Sequence, residues 1–470
     1  MSSCKKGFLE VDQKQQIVAT KFSDYELLMN SKKLYDYLEE GGWPAAVVLG
    51  DEVSAEGDFL SSNGTLQTQR LFHYENVVYN EGQDAYELKY FLNNIYFCNK
   101  VINEVMDATD GSEQQKKSLI AEAKATRAWL YLQIMNFYAK PYAAGSAATD
   151  PGLPIIKTAD ISIRYFVRNT VQEVYDFMIA DLNEAMPDLP NEKEFPTRMS
   201  KPAAEAILGR TYLFMARFKD AQDHFDAAFS AMSQQIHPAK LYNYNVEFGE
   251  NGSFLPYGDY GPNGPGNNPN DYTEAILSRT FYSGTYQPIG IAGIVLNKSA
   301  YDLYGKTDWR REFYSATYDD GGEPNPSGRV RKYAYTYIKF GMQLPDLYLM
   351  RAECRARLNN LSGAMEDLMT LRNNRMPVKD AGVPPSVSTN QTALVHYVID
   401  ERIREFAAEG YRWFDMRRLH NDPLFNSPLP AHVEYNSDGT ETNYPLSEDR
   451  LTLRLPPLYI SANPGITNNP

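Results

Sequence analysis

The sequence is poor in the residues that build metal centres and reactive thiols. Cysteine occurs three times, at Cys4, Cys98 and Cys354, an odd number at wide spacing. There is no CxxC pair and no Cys/His cluster, so no zinc site is implied. His73, His224, His237, His396, His420 and His432 are scattered, and no HExxH or other ligand spacing joins them. No nucleophile elbow or phosphate loop is present. Basic charge is also short: 46 Lys and Arg against 60 Asp and Glu give a net charge of −14. Phosphate binding needs a basic surface, so a nucleic-acid partner is not expected. No apolar run approaches the roughly 20 residues of a membrane span, and no secretory signal is visible.

What is present reads as a large globular chain. At 470 residues, 43% hydrophobic and 23% charged, it can bury a substantial core in one or two domains. Tyrosine is abundant, 34 against 22 Phe, and offers a flat apolar face with a polar tip. Apolar residues at three- and four-residue spacing predict helices over 20–40, 85–107, 113–138, 169–186, 200–215, 218–233, 343–358, 361–375 and 391–418. Thr170 and Ser200 stand ahead of two of them as caps, with Pro202 in a first turn. Cys98 and Cys354 fall in such patterns and are expected as buried thiols. Between 234 and 342 the pattern breaks into Gly, Pro, Asn and Tyr, a length of loop that is usually functional.

Two segments repeat. AILGRTYLFMARFKDAQDHFDAAF (206–229) aligns without gaps with LMRAECRARLNNLSGAMEDLMTLR (349–372). Gly209 lies over Ala352, Ala221 over Ala364, Phe225 over Leu368 and Ala228 over Leu371. Small residues where two helices cross, flanked by bulky ones, fit the tetratricopeptide (TPR) pattern. AEAKATRAWLYLQIMNFY (121–138) reads as a third first-helix, and the insertions exclude a regular solenoid.

ERIREFAAEGYRWFDMRRL (401–419) is the most charged of the predicted helices. On a continuous wheel, Ile399, Ile403, Phe406, Ala407, Gly410, Trp413 and Phe414 share one face, and Glu401, Glu405, Glu409, Arg412 and Asp415 the other. Glu401 with Arg404, Glu409 with Arg412, and Arg412 with Asp415 are in pairing register. Carboxylates beside arginines have lowered pKa values. That suits a structural clamp better than a general acid.

Six stretches, in order, resemble the SusD/RagB family of Bacteroidetes outer-membrane lipoproteins. They are YFLNNIYFCNKVINEV (90–105), AEAKATRAWLYLQIMNFYAKPY (121–142), SKPAAEAILGRTYLFMARFKDAQDHFDAAF (200–229), LPDLYLMRAECRARLNNLSGAMEDLMTLRNNR (344–375), residues 401–419, and NPGITNNP (463–470). The resemblance implies a predominantly α-helical, TPR-like, SusD-like domain over 1–470 with a large loop-rich insertion region. Its scaffold would lie mainly in 20–40, 85–235 and 343–420, its ligand-binding insertions mainly in 51–84 and 236–342, and an irregular segment in 421–470. It also implies a cell-surface lipoprotein, anchored in the outer membrane through Cys4 in MSSCKK. That protein would bind an oligo- or polysaccharide without cleaving it and deliver it to a SusC-like TonB-dependent transporter. The family often has an acidic residue where this chain has Tyr459.

Sugar rings present apolar C–H faces rimmed by hydroxyls, so aromatics on loops among polar groups are the natural candidates. The stretch 51–82 offers Arg70, Phe72, His73, Tyr74, Asn76 and Tyr79; the later insertion offers Tyr257, Tyr260, Tyr272, Tyr282 and Tyr286; Trp309 is a further candidate. Trp43 is expected to pack after a helix. NSDGTE (436–441) clusters oxygens round a glycine without EF-hand spacing, and a polar turn is favoured over calcium. No cofactor is expected. The competing classes are a helical glycoside hydrolase, which needs two suitable carboxylates, and a TPR adaptor for peptides.

Overall fold

A computed structural model describes residues 19–37, 43–163, 165–257, 261–282, 293–317, 322–333 and 336–470. Twelve helices carry the architecture: α1 (Phe22–Met29), α2 (Trp43–Leu49), α3 (Leu66–Phe72), α4 (Tyr86–Glu104), α5 (Glu113–Tyr138), α6 (Val171–Ala185), α7 (Lys201–Phe214), α8 (Phe218–Met232), α9 (Leu344–Arg357), α10 (Leu361–Arg372), α11 (Gln391–Phe406) and α12 (Tyr411–Leu419). Successive helices pack on one another from α4 to α8, and α9 packs on α8, α10 and α11, so the two halves of the scaffold meet. Two helix starts carry reciprocal caps. Ser112 accepts the Gln115 N–H while Gln115 accepts that of Ser112, and Thr170 pairs with Glu173 in the same way. Ser200 holds the cap position of α7 without a side-chain bond, and Pro202 follows in its first turn.

The internal repeat is visible in the backbone. In the first helix pair, a Cβ on Gly209 would lie 2.5 Å from the Phe225 ring, so only glycine admits that crossing. The second pair buries Ala352 and Leu368 at the matching places. The turns also correspond: Ala216 between α7 and α8 has φ 57°, and Asn359, ten residues into the second unit as Ala216 is into the first, has φ 62°. Cys98 and Cys354 are free, buried thiols.

Three stretches expected as irregular meet in one sheet. Strands Glu441–Pro445, Ala431–Tyr435, Val53–Glu56 and Ile294–Leu296 lie side by side in that order. A second sheet joins Asp36–Tyr37, Thr280–Tyr282 and Tyr337–Lys339. The insertions are thus pinned to the scaffold by short strands. NSDGTE is a hairpin turn, with Gly439 at φ 82° and Asp438 accepting the Thr440 N–H at 2.9 Å. The predicted helix over 20–40 is shorter, covering only α1, and Trp43 opens α2 rather than following a helix. Among the described residues, no helix is long and apolar enough to cross a membrane.

The 391–418 stretch departs most from its prediction. It is two helices, because Ala408 (φ 59°) and Gly410 (φ 89°) take left-handed conformations that end the ladder. The wheel therefore cannot be continued past Phe406.

Candidate functional site

Most charged groups of 401–418 are buried, with Glu409 and Arg412 partly exposed. Glu401 receives Arg310 (2.8 Å), Arg372 (2.5 Å) and Arg404 (2.8 Å). Glu405 receives Arg310 (2.9 Å) and Arg375 (2.7 Å), and Arg375 reaches on to Glu274 (2.8 Å). Asp415 pairs with Arg402 (2.6 Å) and Arg418 (2.8 Å). Burial opposes ionisation here, but the arginines outweigh it, and Glu401 and Asp415 are both held down at about 2. Two of the expected pairs do not form: the break at 407–410 separates Glu409 from Arg412, whereas Arg412 and Asp415 share α12 and are each engaged elsewhere. Glu409 pairs with Lys332, not Arg412, and Arg412 forms a two-pronged pair with Asp51 (2.5 and 2.8 Å), not with Asp415. Beside that pair lies Glu52, whose Oε1 accepts the Ala408 N–H at 3.3 Å and whose Oε2 has no hydrogen-bond partner among the described residues. Burial first, and then Asp51, push Glu52 up to about 8.

The candidate ligand residues separate into distinct places. In the 51–82 stretch, Phe72, Tyr74 and Tyr79 are buried, which corrects the expectation that they face outward. Phe72 and Tyr74 sandwich His432, with ring centroids at 4.4 and 4.2 Å, and the Tyr74 hydroxyl donates to the Leu49 carbonyl at 3.1 Å. Tyr79 donates to buried Glu87. His73 lies 2.8 Å from Glu434 and stacks on Tyr444 at 3.9 Å, while Arg70 donates to Val78 O (3.2 Å) and Asn80 (2.9 Å). Asn76 is exposed. These rings carry the four-stranded sheet, because a loop pinned by strands needs large side chains to fill the space beneath it. Trp309 is half-buried, stacked on Phe248 at 5.6 Å, with its indole N–H on Asn245 (3.0 Å). Tyr257 is exposed and donates to Glu312 at 2.5 Å. Tyr282 lies on a strand. Tyr260, Tyr286 and Cys4 lie outside the described residues.

Tyr257 lines a more open surface pocket of about 530 Å³ with Asn251, Leu255 and Pro256, and Tyr272 lines a cleft with better-defined walls. The cleft measures about 460 Å³ and runs between the loop after α6 (190–200), the segment after α8 (233–240) and residues 272–276. Each wall is tied down. Pro190 O accepts from Lys201 N (2.8 Å), Pro196 O from Ser278 N (2.7 Å) and Thr273 O from Lys240 N (2.8 Å). Glu192 accepts the N–H groups of Ile236 (2.8 Å) and His237 (2.9 Å), which hold its pKa below the usual carboxylate range. Phe195 is 51% exposed and meets Tyr272 edge-on, with centroids 6.5 Å apart. Gln235, His237, Lys240 and Thr273 add hydrogen-bonding groups along the lining. The arrangement offers an apolar platform with donors and acceptors at its rim. Phe195 was missed because NEKEFPTRMS reads as a charged linker; its one aromatic among charges was the available signal. Behind segment 271–274 lies a smaller chamber of about 100 Å³, lined by Tyr242, Tyr337 and Gln343 among others.

An irregular, strand-pinned superstructure on paired helices, with an open ring-lined cleft and clamped charges, defines a binding scaffold. Comparison with known proteins gives it a family. A family model described as "Starch-binding associating with outer membrane" matches residues 8–213, and that of the SusD family matches residues 325–470. The chain belongs to the SusD/RagB family. Similar solved structures include a SusD superfamily protein from Bacteroides thetaiotaomicron (17% identity, TM-score 0.71, covering 96% of this chain and 100% of that one). Another is from Bacteroides fragilis (16%, 0.70, 96% and 100%). A third is a SusD-like carbohydrate binding protein from Bacteroides vulgatus (17%, 0.65, 95% and 98%). At these identities the likeness establishes the fold. No curated protein matches the sequence.

Proposed function

We propose that this protein captures an oligo- or polysaccharide at the bacterial cell surface and hands it to a SusC-like TonB-dependent transporter, without cleaving it. The observation that carries the reading is the Phe195–Tyr272 pair over an open cleft with hydrogen-bonding groups along its lining. Aromatic faces stack on sugar C–H faces, and the polar groups meet the hydroxyls. The family and a carbohydrate-binding structural neighbour support the same ligand class. The non-catalytic part rests on the carboxylates. Hydrolysis needs an acid with a raised pKa beside the sugar bond. Glu192 in the cleft is lowered, and Glu52 and Glu274, which are raised, are not among the cleft residues. Anchoring is through a lipid on Cys4, and no cofactor is required.

The test is a screen of polysaccharides and host glycans by array and calorimetry, with Phe195→Ala and Tyr272→Ala beside the wild type. Binding that weakens in both variants supports the reading. No binding to any glycan removes it and leaves peptides as the cargo to try. Release of reducing ends by the pure protein overturns the non-catalytic part. Co-purification with a TonB-dependent transporter from native membranes tests the partner.

A further inference from the structure

A second cavity lies apart from the cleft and has the opposite chemistry. The segment 455–466 closes over α4 and α5, and the loop 153–166 forms a side wall. The space is about 310 Å³ and partly open to solvent, with Ala462 at its exposed rim, and it is lined by side chains such as Leu88, Leu92, Ile134, Ile156, Leu455 and Ile466. Its few polar groups are mostly spent. The Tyr131 hydroxyl donates to Pro154 O (3.1 Å) and accepts from Ile156 N (2.7 Å). The Asn463 amide spans the backbone of Phe166, accepting from its N–H and donating to its carbonyl, both at 2.8 Å. Tyr459 also lines the cavity, and its hydroxyl has no hydrogen-bond partner among the described residues.

Water does not suit this space. Water held against this lining finds few free polar partners, so an apolar group gains by displacing it. We propose that the cavity binds the alkyl chain of an uncharged amphiphile, with a hydroxyl head against Tyr459. The volume sets the length: at ~30 Å³ per water-sized group there is room for about ten heavy atoms. The charge follows from the lining, which holds no Lys, Arg, Asp or Glu. Asp84 and Glu87 lie close enough to add to the effect of burial in raising the Tyr459 hydroxyl, so the potential at that end is negative and an anionic head is disfavoured. The approach is also apolar. Ile163 lines the cavity and is 39% exposed, and Ile161, Tyr165 and Val167, at alternate positions on the same segment, are 73%, 74% and 84% exposed.

The probes are 1-octanol, sodium octanoate and toluene, titrated into the 470-residue chain by calorimetry with melting temperature read in parallel. Saturable, one-to-one binding of 1-octanol with a raised melting temperature is expected, and binding of octanoate about tenfold weaker. Tyr459→Phe weakens 1-octanol about fivefold and leaves toluene unchanged, a split that lost packing alone does not produce. Leu88→Phe and Leu455→Phe, which fill the space from two walls, abolish binding of both neutral probes. Two variants are used so that a folding defect in one leaves the other to decide. Absence of saturable binding to the wild type overturns the proposal, as does unaltered binding in a folded, filled variant. Octanoate binding as tightly as 1-octanol overturns the neutral head. Light scattering that shows a dimer, with 1-octanol excluded, assigns the apolar strip to self-association and also overturns the proposal.

Discussion

Glu401 and Phe195 occupy surroundings opposite to their chemistry. The carboxylate is fully buried among three arginines, while the phenyl ring stands half in water. Charge in the interior fixes geometry, because each buried pair is tolerated only with its partners in place. Rings at the surface are free to meet a ligand, because little of the fold depends on them. The scaffold and the cleft can therefore be damaged separately.

Arg310→Ala is the sharpest break on the scaffold side. It takes a partner from Asp308, Glu401 and Glu405 at once, and a loss of about 3–5 kcal/mol in denaturant unfolding is expected. Glu401→Gln gives the pH signature. Because the folded carboxyl is held at about 2, its contribution is complete above the ordinary carboxylate range and is lost as pH falls through 2. The stability gap between Glu401→Gln and wild type therefore narrows from pH 5 towards pH 2. Glu52→Gln has the opposite sign. Its folded value of about 8 lies above the unfolded one, so wild-type stability is present at low pH and drains away as pH rises through 8. The variant gains on the wild type by roughly 3–4 kcal/mol between pH 5 and pH 8. On the cleft side, Phe195→Ala and Tyr272→Ala lower glycan affinity about tenfold, or roughly 1.4 kcal/mol, with melting temperature almost unchanged. A large fall in melting temperature without loss of binding would erase the distinction between the two regions. The smallest effect is at the repeat. Ala216→Asn, matching Asn359, relieves a left-handed alanine and raises unfolding free energy by about 0.5–1 kcal/mol.

The scaffold was legible because its signals are local. Thr170 caps its helix as expected, Ser200 holds the cap position of α7 without a side-chain bond, and Gly209 meets Phe225 where the repeat alignment placed a small residue against a bulky one. The kink at 407–410 escaped the wheel because Ala407 and Gly410 continue the apolar period, although a glycine in mid-helix was a cue. The cleft was only half legible. Tyr272 stood out in a polar insertion, whereas Phe195 lay in a linker whose neighbours are set by the strands and helices on either side. Phe72, Tyr74 and Tyr79 had the composition of a ligand surface, but the first two are buried against His432 in a sheet assembled from strands nearly four hundred residues apart, and Tyr79 against Glu87 of α4.

The enclosure of the arginine pairs has a consequence for the surrounding medium. Dissolved ions screen charges that they can approach, and they reach sealed pairs poorly. What they do reach is an outer surface on a chain whose acids outnumber its bases, where screening relieves self-repulsion. A shift from fresh to briny conditions is therefore expected to tighten this molecule, with its melting temperature rising as sodium chloride is added.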